Sequence, residues 1–225
     1  MKLPVCKRLL ACADLVHPGD RVADVGTDHG YLAIHLLKTG RASQVFAADV
    51  ARQPLERARR NAQRFGVGEG ISFYLTDGVQ DLPRAFDVLL CAGMGADTII
   101  GILEEAPWLR DGERRLILQC QSSQNELRRY LGQRGWRISR EVLVRDRRFL
   151  YTVLEALPGG GPLSPGQQYV SPALLEAGGP LLGDYLDQCR RSVERAAVGL
   201  ANAGDPGAAY YQAALRELMD MEGQR

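Results

Sequence analysis

The stretch "VADVGTDHGYLA", residues 22–33, decides the fold. Residues 22–25 read as a strand, the next five as a glycine turn, and residues 30–39 as a helix. Such a strand–turn–helix unit presents backbone N–H groups to a bound cofactor. Gly26 and Gly30 stand where the turn wants glycine. A dinucleotide fingerprint would also need glycine at 28 and 31, and this chain has Asp28 and Tyr31 there. A pyrophosphate would meet the Asp28 carboxylate at close range, and like charges repel. A cofactor without phosphate suits the loop better. S-adenosylmethionine, with its ammonium and sulfonium, is favoured by nearby carboxylates.

Working outward, residues 3–16 have helical apolar spacing and end at "HPGD". Strands are predicted at 43–50, 71–78, 86–95 and 114–120, with helices between them. The alternation then changes. Residues 136–157 hold two strand runs joined through "VRDRR", a β-hairpin in place of another β–α–β unit. The predicted fold is α/β: a Rossmann-like class I methyltransferase sheet with a terminal antiparallel β-hairpin. "PGGGPLSPG" at 158–166 reads as a linker. Beyond it, Leu182, Leu186, Cys189, Val193, Ala196 and Leu200 form a heptad seam, and Tyr211, Ala214, Leu218 and Met221 a matching one. These predict a C-terminal α-helical, coiled-coil-like hairpin, its seam closed internally, packed on the α/β domain or shared between chains. The expected division is 1–157 for the methyltransferase domain, 158–180 for a linker and docking segment, and 181–225 for the helical hairpin.

The chain of 225 residues is long enough for one α/β domain of about 150 residues plus an appendage. No apolar run approaches the roughly 20 residues that span a membrane, and the N-terminal stretch is too interrupted by charge for a signal peptide. The five cysteines are scattered without a C-x-x-C pair, and the three histidines lack ligand spacing. The expectation is a cytoplasmic protein with no metal and no membrane contact, a monomer or a weak dimer through its C-terminal helices. Residues 110–148 carry 11 arginines against 5 acids. That block is either a phosphate-binding face or a solvated helix and hairpin.

The chemistry-bearing residues fall at the carboxyl ends of strands, the edge at which open α/β sheets bind ligands. Asp24 ends the first strand and Asp49 the second, 19 residues past Gly30, where a carboxylate accepts both ribose hydroxyls or caps the next helix. Asp77 is placed to accept from the adenine amine of the cofactor, and Gly78 to leave room for its ring. In "CAGMGA", Gly93 and Gly95 bring backbone close to a bound group with Met94 as an apolar surface, or make a tight turn after a buried strand. The cofactor-binding candidates are Asp24, Gly26, His29, Gly30, Asp49, Val50, Asp77, Gly78, Ala92 and Gly93.

"DVGTDHGYLAIHL", "AADVARQPLERARRNA", "LTDGVQDL", "CAGMGADTIIGIL", "LILQCQS" with "LRRYL", and "YTVLEAL" together resemble the TrmK family. Its members are bacterial tRNA (adenine(22)-N(1))-methyltransferases. The resemblance runs over nearly the whole chain, and the Asp-His pair and the Gly-Met-Gly turn are its most specific marks. The chain departs from the family pattern at Ala33, at Ala96, and at Cys120-Gln121, where the family has Pro-Asn. The resemblance implies methyl transfer from S-adenosyl-L-methionine to the ring nitrogen N-1 of an adenosine in tRNA. That nitrogen has an in-plane lone pair, so no base need remove a proton first. The site must supply alignment and stabilise a cationic product.

On that reading Asp28, Tyr31 and Met94 are the catalytic candidates. Asp28 accepts from the adenine amino group or, alternatively, caps the helix after Gly30. His29 orients Asp28, contacts the cofactor or merely shapes the turn. Tyr31 stacks on or hydrogen-bonds the base. Arg145, Arg147 and Arg148 are the candidate RNA contacts. A base in a folded RNA must also be exposed before it can react. The competing readings are a class I methyltransferase for another RNA, a protein or a small molecule, and a non-catalytic cofactor-binding protein acting through its helical hairpin. A nicotinamide oxidoreductase is disfavoured by Asp28, Tyr31 and the terminal hairpin.

Overall fold

A computed structural model describes residues 3–112 and 114–223. Seven strands form one sheet in the order β3-β2-β1-β4-β5-β7-β6. The parallel strands are β1 (Asp20–Val25), β2 (Ala42–Asp49), β3 (Ile71–Leu75), β4 (Val88–Met94) and β5 (Arg115–Cys120). The antiparallel pair is β6 (Trp136–Asp146) and β7 (Phe149–Pro158), with β7 inserted beside β5. The order reverses between β1 and β4, and that switch point is where an open sheet leaves a crevice.

Side chains alternate strictly between the two faces. Val22, Val88, Leu90, Ile117 and Val153 pack under helices α1 (Lys7–Leu15) and α2 (Tyr31–Lys38). Ala23, Val25, Leu89, Cys91, Leu118 and Leu154 pack under α4 (Ala96–Glu104) and α5 (Gln124–Gln133). Helix α3 (Arg52–Arg64) covers β2 and β3, burying Leu55, Ala58 and Ala62. A sheet buried on both faces explains why the strands are continuous apolar runs.

Two predicted strands end earlier than their sequence runs. β3 stops at Leu75, leaving Thr76 and Asp77 in the following loop. In β4, Gly93 leaves the ladder, and the register with β5 shifts between Ala92 and Met94. The hairpin turn is Arg147–Arg148, with Arg147 left-handed at φ +55°. Continued along β5, the register of Leu118 with Leu154 puts Cys120 opposite Thr152, so β7 passes the end of β5 by three residues and the turn begins roughly 13 Å beyond it at about 3.3 Å per residue.

The stretch 158–166 is packed rather than loose. The N–H groups of Gly159 and Gly160 both donate to the Gly135 carbonyl, at 2.9 and 2.8 Å. Gln168, Val170 and Ser171 are buried, and a short helix α6 (Pro172–Ala177) follows, capped by Ser171. Helices α7 (Leu182–Asn202) and α8 (Ala208–Gly223) form the C-terminal pair. Their seam is closed within the chain. Leu182, Leu186, Cys189 and Val193 meet Ala214 and Leu218, with Leu143 and Leu150 of the β-hairpin packed against them. The seam drifts at its far end, where Ala197 is buried in place of Ala196. A straight helix turns every 3.6 residues and slips against a 3.5-residue repeat.

Much of the basic block is paired inside the fold. Arg128 and Glu141 form a buried ion pair at 2.6 Å, and Arg128 also donates to Tyr185 Oη and the Gln168 carbonyl. Glu141 accepts from Ser171 Oγ at 2.5 Å. Arg115 pairs with Asp20 and Glu155, and Arg134, on the surface, with Glu104. The block is therefore not one phosphate-binding face. Among the described residues no helix is long and apolar enough to cross a membrane, and no cluster of three His, Cys, Asp or Glu is placed to hold a metal ion.

Candidate active site

The turn after β1 is built on three left-handed residues, Gly26, Asp28 and Gly30, at φ +74°, +49° and +72°. The N–H groups of Gly26 and Thr27 donate to the Ala48 carbonyl at 2.9 and 3.0 Å, which pins the turn to β2. A Cβ on Gly26 would stand 2.3 Å from Met94 Cε, so glycine lets the Met94 side chain lie against the turn. A Cβ on Gly30 would meet Ala58 Cβ at 2.9 Å, so this glycine admits helix α3. A left-handed conformation costs an ordinary residue roughly 1–2 kcal/mol, and Asp is among the few that tolerate it.

Asp28 does not cap α2. The N-cap is Gly30, without a side-chain cap. The Asp28 carboxylate is exposed, with His29 Nε2 at 3.7 Å as its neighbour. The His29 and Tyr31 ring centroids lie 5.8 Å apart, which brings the three candidates to one rim. Asp49 holds the loop from the other side: Oδ2 accepts the Asp28 N–H at 3.1 Å and Oδ1 the Ala51 N–H at 2.9 Å. Each oxygen keeps a second lone pair for a ligand hydroxyl.

Asp24 is buried beneath the loop. Its partner is the Thr27 hydroxyl, 2.7 Å away. Burial without a cation raises its pKa to about 6, the Thr27 bond opposes the rise, and the charge of Asp49 adds to it.

Sequence reasoning missed Arg8, Thr27 and Gln119. Arg8, on α1, reaches across to donate to the buried Gln119 Oε1 at 2.9 Å, and the Gly93 N–H donates to the same oxygen at 3.1 Å. Gly93, at φ +86°, leaves its Cβ position to the Arg8 guanidinium, 3.2 Å away. A cavity of about 200 Å³ is lined by Arg8, Asp24, Gly26, Asp28, Tyr31 and Gly93, together with Leu9, Thr27, His29, Leu32 and Ala92; Met94 and Asp49 stand behind this wall. Val50, Asp77 and Gly78 flank it at the ends of β2 and β3. Val50 and Asp77 are exposed, and Gly78 is left-handed at φ +62° against Ile102. Arg145, Arg147 and Arg148 are not part of the cavity. Arg145 is paired with Asp184 of α7 at 2.5 Å, Arg148 lies over the Phe149 ring, and Arg147 is exposed in the turn. A larger cavity, about 640 Å³ between Arg59 and Phe73, opens at the opposite edge of the sheet.

Residues 5–154 match the family model described as a methyltransferase domain. The chain is 30% identical over 159 residues to the tRNA (adenine(22)-N(1))-methyltransferase of Bacillus subtilis, covering 70% of this chain and 67% of that protein. The chain belongs to the TrmK family. The crystal structure of the B. subtilis TrmK, an M1A22 tRNA methyltransferase, superposes with a TM-score of 0.80 at 27% identity, over 98% of this chain and 97% of that one. Sp1610 from Streptococcus pneumoniae, solved in complex with S-adenosyl-L-methionine, gives 0.81 at 27% identity over 96% and 99%. The TrmK likeness therefore includes α7 and α8.

Proposed function

We propose that this chain is an S-adenosylmethionine-dependent methyltransferase acting on N-1 of adenosine 22 in tRNA. The observation that carries the reading is the likeness over nearly the whole chain to the TrmK structures, joined to a cavity with carboxylates where a pyrophosphate would be repelled.

The residues suit the cofactor. Asp24 is a buried carboxylate without a cation partner among the described residues, and Arg8 is a cation on the same cavity. They match the ammonium and the carboxylate of the methionine moiety. Asp49, with spare lone pairs, takes the ribose hydroxyls, and Asp77 with Gly78 the adenine end. When bound, S-adenosylmethionine supplies a methyl group on a sulfonium centre. Asp28 accepts from the amino group of the target adenine, which raises electron density at N-1 and stabilises the cationic ring that results. Tyr31 bounds the base, and Met94, held against Gly26, backs the turn. His29 orients Asp28.

The turn residues Arg147 and Arg148, with Arg145, hold RNA phosphates beyond the edge. The helical pair 181–225 extends that surface. With its seam closed inside the chain, it leaves a monomer or a weak dimer, working in the cytoplasm where tRNA is found. The test is methyl transfer from labelled cofactor to unmodified tRNA, with reverse transcription mapping the stop that an N-1 methyl imposes. A stop at position 22 is expected. Cofactor binding without transfer to any tRNA overturns the reading.

A further inference from the structure

Gln121 lines a second cavity and comes close to the wall of the first. Its side-chain nitrogen lies 3.5 Å from the position a Cβ on Gly93 would take, at the wall of the site just described. The second cavity, about 260 Å³, opens on the other side of the same loop, between residues 121–125 and helix α7. Gln121, Ser122 and Asn125 line it from the loop, and Gln188 and Ser192 from α7. No carboxylate lines it among the described residues, in contrast to the cofactor cavity with Asp24 and Asp28. Gln188 is shared with a third cavity, which holds Arg145, Arg148, Arg191 and Arg195 at the hairpin turn, beside Asp184 and Asp187. The second and third cavities share Gln188, and Gln121 sets the second beside Gly93 of the cofactor cavity.

The carboxamides differ in what they are free to do. Gln124 is committed to the fold, accepting from Tyr185 Oη at 2.9 Å and donating to the Cys120 carbonyl. Gln121 and Gln188 are exposed, and among the described residues their side chains hydrogen-bond nothing in the chain. A free carboxamide offers a donor and an acceptor side by side, the pattern that reads a base edge. Single-stranded RNA is recognised on such edges. Arg148 and Arg195 form no ion pair among the described residues, whereas Arg145 and Arg191 are paired with Asp184 and Asp187.

We propose that the groove between the loop after β5 and helix α7 holds the nucleotide adjoining the methylated one, with Gln121 and Gln188 reading its base and the Arg148–Arg195 end taking its phosphate. The proposal rests on the tRNA methyltransferase reading and names a part of the substrate that reading leaves open.

The experiment measures kcat/KM for tRNA transcripts in which the nucleotide on either side of the modified adenosine is changed in turn. The wild-type chain is expected to lose about ten-fold on changing one neighbour, as one good base contact implies. Gln188→Ala should act on parent and changed transcripts within about two-fold of each other, through a higher KM for the parent. Ser192→Trp, an exposed position that fills the groove, should raise KM for RNA by ten-fold or more at unchanged cofactor affinity. Unaltered discrimination in Gln188→Ala, indifference of the wild type to both neighbours, or a Ser192→Trp variant with normal KM each overturns the proposal. A wild-type chain that methylates no tRNA overturns the underlying reading instead.

Discussion

The N–H of Asp28 donates to Asp49 Oδ2 across 3.1 Å, so the carboxylate that ends β2 fixes the backbone of the loop that ends β1. The side chain of Asp28 is left free and exposed by this arrangement, beside His29. One acid holds geometry and the other is available for chemistry.

Asp28→Asn separates these roles, because asparagine also tolerates the left-handed backbone at φ +49°. The variant should fold and bind cofactor normally while kcat falls about 100-fold, the scale of removing one electrostatic partner of the transition state. Asp49→Ala should do the reverse, weakening cofactor affinity about ten-fold or more. Steady-state kinetics with calorimetric cofactor titration distinguish them. Normal turnover in Asp28→Asn would remove that residue from the mechanism.

Arg8→Ala takes away the cation that reaches Gln119 and Gly93. The cofactor Kd should rise about ten-fold, the value of one charge-assisted hydrogen bond. The melting temperature should move little, because Gln119 still accepts from Gly93. Arg8→Lys should recover only part of the affinity.

Asp24 gives the site a pH dependence. Its pKa rises from the usual carboxylate value to about 6, chiefly through burial. Between about pH 4 and 6 the folded chain keeps a proton that the unfolded chain has lost, so stability without cofactor falls as pH rises through that window. A cationic ligand favours the ionised form, so cofactor affinity should rise with pH to above 6 and then level. Binding at pH 6 should release up to about half a proton, read from calorimetry in buffers of different ionisation enthalpy. Asp24→Asn should abolish the release.

Glu141→Gln leaves Arg128 buried without its counter-charge, with only neutral acceptors around it: the new amide oxygen, Tyr185 Oη, Thr152 Oγ1 and the Gln168 carbonyl. Destabilisation of about 3–5 kcal/mol is expected from urea unfolding. An Arg128→Met/Glu141→Leu double variant should recover most of it, since paired apolar replacement removes both charges together.

Arg147→Ala/Arg148→Ala should lower the slope of log K against log salt for tRNA by about one for each phosphate no longer neutralised. Arg145→Ala should change it less, because that guanidinium is already paired with Asp184. An unchanged slope in the double variant would place the phosphates elsewhere.

The residues 22–33 made the fold legible because every local signal agreed: apolar strand, glycine turn, amphipathic helix. Of the residues read from strand ends, Asp24 and Gly93 line the cavity and Asp49 holds its loop. Arg8 was not legible, since a lone arginine on an N-terminal helix has no spacing that ties it to Gly93, 85 positions on. Gln119 did carry a signal, a polar residue in the apolar run "LILQC", and it is wholly buried. Ser171-Pro172 likewise announced helix α6 through a capping residue and a proline at the first turn. The basic block stayed open to two readings because composition counts charges without their partners. Glu141 lies 13 positions from Arg128, and Glu155 lies 40 from Arg115.

The Arg128 cluster also limits how the enzyme can be taken apart. Arg128 sits on α5 and Glu141 on β6, while Ser171 and Tyr185 come from segments beyond β7. A chain cut after Pro158 would keep the charged pair and lose both hydroxyls and the Gln168 carbonyl that complete it. The helical pair is thus wired into the sheet at a buried polar joint. Grafting it onto another methyltransferase would require moving four separate stretches of chain together.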